Sequence, residues 1–272
     1  FGDAIVLTNW QTFWKNVVLL ILVIVLLGCK KFIPQLLSWW GELVVLLLAL
    51  GASATIMAYS YTHLPPMDFR PYKVGNHIPT LMEVPEGAPV DEYAITLIYE
   101  KDGIEQEFTL ENYPKGDSTW TFVDQQSVLI KKGYEPPIHD FSMMNVEDGE
   151  DITEQVLSDK NYTFLLVSHQ LGLADDTQID LINELFDYSL EYGYAFYCLT
   201  SSSDEDILKW KDNTGAEYPF CLMDNITLKT MIRSNPGLIL LKEGKVIRKW
   251  SVNNLPNEYD LTDSLDRLPI GY

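Results

Sequence analysis

Two long apolar runs near the start of the sequence constrain the fold of this chain more than any other feature. Val17–Leu27 contains no polar side chain, and Leu43–Tyr59 contains no charged one. About 20 apolar helical residues cover the roughly 30 Å hydrocarbon core of a bilayer, and a spanning helix satisfies its own amides there. A pair of core helices in a soluble protein is the alternative, but neither run has the polar face that such helices show. We predict an α-helical membrane hairpin with helices at about 13–32 and 40–60, so the lipid bilayer is the first expected partner.

The short turn between the two runs indicates the orientation of the hairpin. It contains Lys30 and Lys31, and positively charged loops remain on the cytoplasmic side of a membrane. The rest of the chain would then lie outside, which is the periplasm in a Gram-negative cell. We therefore predict a bacterial inner-membrane protein whose C-terminal domain is periplasmic.

The charged residues are concentrated after the hairpin. The formal net charge is −20, and the 206 residues after Pro66 contain 37 acidic and 16 basic side chains. Nucleic acid and anionic lipid are bound through cationic patches. This composition argues against both as partners of the outer part, which is long enough for one or two globular domains.

Residues 66–133 are predicted to form a Pro-rich linker and a small β-rich subdomain. Prolines recur through Thr62–Pro89, where each removes an amide donor and fixes φ. Asp102-Gly103 then supplies a tight hairpin turn between two alternating segments rich in β-formers. Four short strands are predicted, at 93–100, 106–110, 119–123 and 128–131.

From Tyr134 onward the pattern changes to alternating strands and helices. Strands are predicted at 164–167, 194–199, 236–241 and 246–250. Helices are predicted at 177–192, 204–212, 227–232 and 256–268, from apolar residues at helical spacing and from entry residues such as Ser201–Ser203. Two strand–helix pairs followed by a hairpin and a final helix form an α/β order. That order resembles a thioredoxin-like fold, and 134–272 is predicted to be one such domain.

The N-terminal segment contains the strings FGDAI at Phe1–Ile5 and LTNWQTF at Leu7–Phe13. They resemble the second half of DoxX/MauE-like membrane proteins, over roughly residues 1–65. The resemblance implies a four-helix inner-membrane unit of which this chain contains half. In those relatives two further helices and a Cys-Gly-Cys precede this point. Because the chain opens on Phe1 without an initiator Met, it is expected to be the later part of a longer polypeptide.

Several segments of the C-terminal part resemble the TlpA-type periplasmic branch of thioredoxin-like proteins. They are Pro136–Ser142, Val146–Ile152, Tyr218–Phe220, Asp224 and Ser234–Gly237. The first is similar to the strand that leads into the domain of that branch, and the second to the turn after it. The last stands where the family has its cis-proline, so the resemblance implies a cis Asn235–Pro236 bond.

The sequence departs from the thioredoxin pattern at the redox motif. That motif needs two cysteines one turn apart at a helix N-terminus, where the helix end lowers the thiol pKa. Aligning Ile179–Phe186 with this helix places Gly172-Leu173-Ala174-Asp175 at the motif, so both cysteine positions are lost. Asp175 is expected to be a helix cap. No catalytic residue is predicted.

The face around the lost motif remains a candidate binding surface. The resemblance implies that this face holds extended polypeptide beside the cis-proline, so we expect other membrane or periplasmic proteins as partners. The candidate binding residues are His169, Gly172, Leu173, Asp175, Asn235 and Pro236.

Other chemistry has weaker support in the sequence. Cys198 and Cys221 either form a disulfide, which needs their Cα atoms within about 7 Å, or remain buried free thiols that act as small apolar residues. His169 with Asp175 or Asp176 could bind a metal, but a solvated or capping role is favoured. Ser168 and His169 could be a nucleophile and its base, but adjacent side chains seldom face each other and no orienting acid is identifiable. No metal site, cofactor motif or nucleic-acid groove is predicted.

Two classes of function follow from these observations. The first is an inner-membrane-anchored protein whose redox-inactive thioredoxin-like domain serves as a binding or scaffolding module. Such a protein could be a subunit of a membrane complex. The alternative is a DoxX/MauE-like thiol-disulfide redox protein whose active cysteines lie upstream of this chain. A cysteine pair directly before Phe1 would favour the second.

Overall fold

The computed structural model describes residues 7–32 and 37–266. Its N-terminal part consists of helix α1 (Asn9–Cys29), a 3-10 turn at Lys30–Phe32 and helix α2 (Trp39–Thr62). Both helices are long and apolar enough to cross a membrane, and their apolar windows are not buried by other parts of the described chain. The prediction of two apolar helices of membrane-spanning length is confirmed.

Helix α1 begins earlier than predicted because Thr8 caps it. Thr8 Oγ1 accepts a hydrogen bond from the Gln11 N–H at 3.3 Å, and Gln11 Oε1 accepts one from the Thr8 N–H at 2.9 Å. This reciprocal pair is a capping box, which satisfies two amides that the helix itself leaves free. The Phe1–Ile5 string of the DoxX/MauE resemblance lies outside the described residues.

The chain divides into two compact units. One comprises the chain up to Pro79 together with Asp140–Tyr272, and the other comprises Thr80–His139. The sequence placed these boundaries after residues 65 and 133. The one-turn helix α3 (Ile78–Met82) contains the first boundary.

The end of the predicted linker belongs to the larger unit for a physical reason. It runs beside the last strand of the sheet described below, with the Gly75 N–H donating to Val246 O at 2.8 Å and the Val246 N–H donating to Asn76 O at 2.9 Å. A sheet edge exposes unpaired amides and carbonyls, and a covering segment satisfies them. Tyr72 and Ile78 are buried in the same stretch.

The smaller unit is a three-stranded antiparallel sheet in the order β2-β1-β3. The strands are β1 (Glu92–Lys101), β2 (Ile104–Thr109) and β3 (Thr121–Lys131). Asp102 and Gly103, with φ of 54° and 79°, form the two-residue turn between β1 and β2, as the sequence predicted.

The prediction of four strands in this unit is wrong, because 119–123 and 128–131 fall largely within the single strand β3. The polar residues between them pair with β1, with Gln126 opposite Thr96 and Gln125 opposite Leu97. All of β3 is exposed, so neither of its faces requires apolar side chains. The alternation on which strand prediction depends is therefore absent there.

The larger unit contains a six-stranded mixed sheet in the order β4-β7-β6-β5-β8-β9. Strands β5, β6 and β7 are parallel, while β4, β8 and β9 are antiparallel to their neighbours. The strands are β4 (Met144–Asn145), β5 (Tyr162–Val167), β6 (Ala195–Thr200), β7 (Phe220–Leu222), β8 (Gly237–Lys242) and β9 (Lys245–Ser251). The sequence comparison placed the first strand of this domain at 136–142, and that position is wrong. The first strand of the sheet is β4, because Pro136 and Pro137 have no N–H to donate to a neighbouring strand.

Helices pack on this sheet and complete the core. They are α4 (Thr153–Leu157), α5 (Ile179–Glu191), α6 (Asp204–Thr214), α7 (Asn225–Met231) and α8 (Glu258–Asp266). Helix α5 buries Ile182, Leu185 and Tyr188 on one face, which is the spacing of an amphipathic helix. Trp210 of α6 donates its indole N–H to the buried Tyr218 hydroxyl at 3.0 Å. The element order and the strand order are those of a thioredoxin-like domain.

Candidate functional site

Two loops lie at the same end of the sheet. One contains Gly172–Asp175, the segment aligned with the redox motif and called the degenerate motif below, and the other is the proline loop, Ser234–Pro236. Ser168 directly follows β5, and Pro236 directly precedes β8. These two strands are adjacent and antiparallel, with Val167 opposite Gly237. The Asn235–Pro236 peptide bond is cis, as the resemblance predicted.

Asn235 joins the two loops through its backbone and its side chain. Its carbonyl oxygen accepts a hydrogen bond from the Asp175 N–H at 2.9 Å. Its Oδ1 accepts one from the Ser168 hydroxyl at 2.9 Å, and its Nδ2 donates to Gln170 O at 2.9 Å. The polar groups of Asn235 are therefore engaged by the chain itself.

The loop after β6 holds the same segment from another side. The Ser201 hydroxyl donates to His169 O, and the Leu171 N–H donates to Ser202 Oγ at 2.9 Å. Ser202 is itself buried. The backbone of the degenerate motif is thus fixed by hydrogen bonds to two neighbouring loops.

Gly172 and Asp175, the two positions that the sequence comparison aligned with the motif cysteines, precede the helix rather than forming its first turn. Gly172 lies in the 3-10 turn Leu171–Leu173, and α5 begins only at Ile179. Asp175 Oδ1 accepts hydrogen bonds from the Thr177 N–H at 3.0 Å and the Thr177 hydroxyl at 2.6 Å. The prediction that Asp175 caps the helix is wrong, because Gln178 is the N-cap residue and Asp175 closes the turn before it.

The surface of this segment is apolar at its most exposed point. The Leu173 side chain is 71% exposed. Gly172 beside it is also exposed, and a Cβ atom placed there would have no heavy atom within 4 Å in the described part of the chain. Leu173 is thus an exposed apolar side chain on a segment whose backbone is fixed by hydrogen bonds to neighbouring loops.

His169 lies in the loop after β5, and its side chain is partly buried. Burial lowers the pKa of its imidazole, and the positive charge of Lys229 lowers it further. Its Nδ1 is buried and has no hydrogen-bond partner among the described residues. Because the Ser168 hydroxyl donates to Asn235, Ser168 and His169 are not arranged as nucleophile and base. Within 7–32 and 37–266, no three His, Cys, Asp or Glu side chains group together as metal ligands.

Cys198 and Cys221 are buried free thiols on neighbouring strands. Cys221 of β7 pairs in register with Leu199 of β6, and successive side chains of a strand point to opposite faces. Cys198 and Cys221 therefore face opposite sides of the sheet, which does not favour a disulfide. Burial raises the pKa of Cys221 to about 12 and also raises that of Cys198.

A cavity of about 150 Å³ lies between the proline loop and the end of α2. Arg233 and Ser234 form one wall, and residues 59–66 form another. Ser251 at the end of β9 links the two, because its hydroxyl donates to Thr62 O at 3.1 Å. No local sequence pattern predicts this cavity, because its walls come from distant parts of the chain.

Comparison with known families concerns only the smaller unit. A family model described as "Domain of unknown function (DUF8463)" matches residues 93–132, which include the three-stranded sheet. No curated protein matches the chain significantly.

Comparison with solved structures finds thioredoxin-like domains at low identity. The thioredoxin domain of a thiol-disulfide oxidoreductase from Bacteroides vulgatus is 15% identical over 47% of this chain and 91% of that one, with a TM-score of 0.36. A thioredoxin-like protein from Porphyromonas gingivalis is 16% identical over 48% and 90%, with a TM-score of 0.37. A thiol:disulfide interchange protein from a Bacteroides species is 15% identical over 48% and 88%, also with a TM-score of 0.37.

The class to which this protein belongs is inferred from its own fold and not from these low-identity matches. Two apolar helices of membrane-spanning length are followed by a thioredoxin-like domain, which rests on the sheet order and on the position of the proline loop. The chemistry of the similar structures does not transfer at these identities, because a shared fold hosts unrelated functions.

Proposed function

We propose that this chain is a membrane-anchored protein whose thioredoxin-like domain binds a partner and does not exchange disulfides. The observation that carries the proposal is the motif itself, in which Gly172 and Asp175 replace both cysteines. Glycine has no group that can attack a sulfur, and the thiolate is the nucleophile in such exchange.

The surrounding geometry supports binding rather than chemistry. Neither position lies on the first turn of α5, which begins at Ile179, so the helix end would not activate a thiol placed there. The segment is nevertheless fixed, through the hydrogen bonds of Asn235 and Ser202. A rigid base that presents an exposed Leu173 is the geometry of a docking surface, because little entropy is lost on binding.

The proposed placement of the domain follows from the hairpin. Helices α1 and α2 would span the inner membrane, with Lys30 and Lys31 on the cytoplasmic side. The thioredoxin-like unit would then lie in the periplasm. The LTNWQTF string at Leu7–Phe13 supports a DoxX/MauE-like helical unit, in which case the two helices would pack with others as part of a membrane complex.

Site-specific crosslinking in cells tests the docking surface. A photo-crosslinking amino acid replaces Gly172, where the structure leaves open space, or the exposed Leu208 of α6 as a matched control. A discrete adduct at 172 that is absent at 208, and that disappears when Leu173→Glu is added, is the expected result. The same adducts at both positions, or none at 172, would exclude this surface as the binding site.

A disulfide-reduction assay tests the absence of exchange chemistry. The full chain in detergent should not accelerate the reduction of an insulin-type disulfide by dithiothreitol above the rate of dithiothreitol alone. A thioredoxin serves as the positive control. Acceleration that survives replacement of Cys29, Cys198 and Cys221 by Ser would come from outside the cysteines of this chain, whereas acceleration lost on that replacement would overturn the proposal.

The redox alternative is supported by one observation, the same DoxX/MauE-like string at Leu7–Phe13. In that case the reactive cysteines would lie upstream, and the thioredoxin-like domain would position a substrate for them. If a longer polypeptide carries cysteines upstream of Phe1, the reduction assay repeated on it with and without those cysteines distinguishes the two functions. Activity that depends on those cysteines would favour the alternative.

A further inference from the structure

Two charged residues that follow α2, Asp68 and Arg70, form a largely buried cluster with Lys249 of β9. Asp68 Oδ1 accepts a hydrogen bond from Arg70 Nε at 3.1 Å, and Asp68 Oδ2 accepts one from Lys249 Nζ at 2.7 Å. The side chains of Asp68, Arg70 and Lys249 are 18%, 7% and 5% exposed. One carboxylate therefore faces two buried cations.

The positive charge of this cluster is not fully compensated. Arg70 Nη1 donates to Lys229 O at 3.0 Å, but Arg70 Nη2 is buried without a hydrogen-bond partner among the described residues. A buried donor left unpaired costs about 1–3 kcal/mol, and more when it is charged. Burial raises the pKa of Asp68, but the hydrogen bond and charge of Lys249 and the hydrogen bonds from Arg70 outweigh it and keep this pKa below its usual 3.8. Asp68 thus contributes one full negative charge and no more.

A cavity of about 280 Å³ adjoins the cluster. Arg70 and Lys249 line it, and the exposed Lys73 adds a third cation to its wall. Three cations and one carboxylate give the cavity a positive charge, although the chain as a whole has a net charge of −20. The composition argued against broad contact with anions, so a cationic cavity is a local exception.

The cavity lies close to the end of a helix of membrane-spanning length. Leu64, Pro65 and Pro66 form part of its wall, and Thr62 is the last residue of α2. The 24 residues of α2 rise about 36 Å at 1.5 Å each, which exceeds the roughly 30 Å hydrocarbon core. If α2 spans the bilayer, its end lies at the level of the phosphate groups.

We propose that this cavity binds a single phosphate group. Arg70, Lys73 and Lys249 line the cavity, and guanidinium and ammonium groups are the donors that proteins use for phosphate oxygens. Two sources share this chemistry, the headgroup of a membrane phospholipid and free inorganic phosphate. The lipid source rests on the proposed membrane anchoring, whereas the free phosphate source does not.

Thermal unfolding of the full chain in phosphate-free detergent tests the proposal and separates the two sources. One arm adds inorganic phosphate against sodium chloride of equal ionic strength. The other adds phosphatidylglycerol against diacylglycerol with the same acyl chains, which lacks the phosphate. A ligand that binds only the folded state raises the melting temperature with its concentration. A rise with phosphate identifies the free anion, and a rise with phosphatidylglycerol alone identifies the lipid headgroup.

Matched variants assign the effect to the cavity. Lys73→Gln, at an exposed position, should weaken binding about two- to fivefold, as expected for loss of one exposed charge. Lys249→Gln should weaken it tenfold or more where that variant folds. Lys160→Gln, an exposed lysine before β5, should bind as the unmodified chain does. Absence of any rise with either probe, or equal binding by Lys73→Gln and Lys160→Gln, would overturn the proposal. Neither outcome depends on the crosslinking at residue 172.

Discussion

The backbone N–H of Asp175 donates a hydrogen bond to the carbonyl oxygen of Asn235, 2.9 Å away. Asn235 precedes the cis-proline, and Asp175 lies in the segment where the sequence predicts a redox motif without its cysteines. The two loops at this end of the sheet are therefore bonded to each other.

The side chain of Asn235 should contribute measurably to stability. Asn235→Ala removes its bonds to the Ser168 hydroxyl and to Gln170 O, and it leaves the buried Ser168 without this acceptor. We expect a loss of about 1–3 kcal/mol in the free energy of unfolding, measured by urea titration with Trp fluorescence. Asn161→Ala, at an exposed site, should change that free energy by less than about 0.5 kcal/mol. Equal losses in the two variants would contradict the linking role.

The buried thiols should be unreactive in the folded protein. Burial raises the pKa of Cys221 to about 12 and raises that of Cys198, and the thiolate is the species that reacts with maleimide. In a Cys29→Ser background at pH 8, neither thiol should be labelled until denaturant is added, and no reductant should be needed. Lys160→Cys provides an exposed thiol that reports access of the reagent. Labelling that requires a reductant would instead reveal a disulfide and revive a redox role.

His169 should make stability depend on pH in a defined direction. Burial, followed by the charge of Lys229, lowers its pKa below the ordinary 6.5, so the unfolded chain binds this proton more readily than the folded one. Stability from the neutral imidazole is therefore complete above about pH 6.5 and is lost as the pH falls below that value. Between pH 7.5 and 5.5, the melting temperature of His169→Gln should fall less steeply than that of the unmodified chain. Identical slopes in the two proteins would refute the assignment.

The features that the sequence predicts well are those with a strong local or periodic signal. The membrane-length helices follow from apolar runs such as Val17–Leu27, which need no tertiary information. The α/β order follows from strong periodicity, because helix α5 buries Ile182 and Leu185 on one face. The cis-proline followed from the resemblance of Ser234–Gly237 to a family position.

The features that the sequence misses depend on contacts between distant residues. Asp68 and Lys249 are 181 residues apart, so no local pattern shows that they form one charged cluster. The pairing of Asn76 with Val246 likewise turns a Pro-rich linker into part of the larger unit. Asp175 was misassigned for a different reason, since Asp favours both helix caps and preceding turns, and only the position of Ile179 decides between them.

Two glycines on either side of the candidate site should respond oppositely to the same substitution. A Cβ atom at Gly237 would lie 2.5 Å from Ile232 Cδ1 and 3.0 Å from its Cγ1, and Ile232 is buried. Gly237→Ala therefore overpacks this region and should cost about 1–3 kcal/mol in the free energy of unfolding. At Gly172 the built Cβ has no heavy atom within 4 Å in the described part of the chain.

Gly172→Ala should accordingly leave the free energy of unfolding unchanged or raise it by up to about 1 kcal/mol, because alanine restricts the unfolded chain. Urea titration of both variants under identical conditions measures the difference. A loss at residue 172 comparable to that at residue 237 would mean that Gly172 is enclosed, and the exposed docking surface around Leu173 would have to be abandoned. A neutral Gly172→Ala that also abolishes the adducts seen with crosslinkers at neighbouring positions would locate the partner directly over the lost cysteine site.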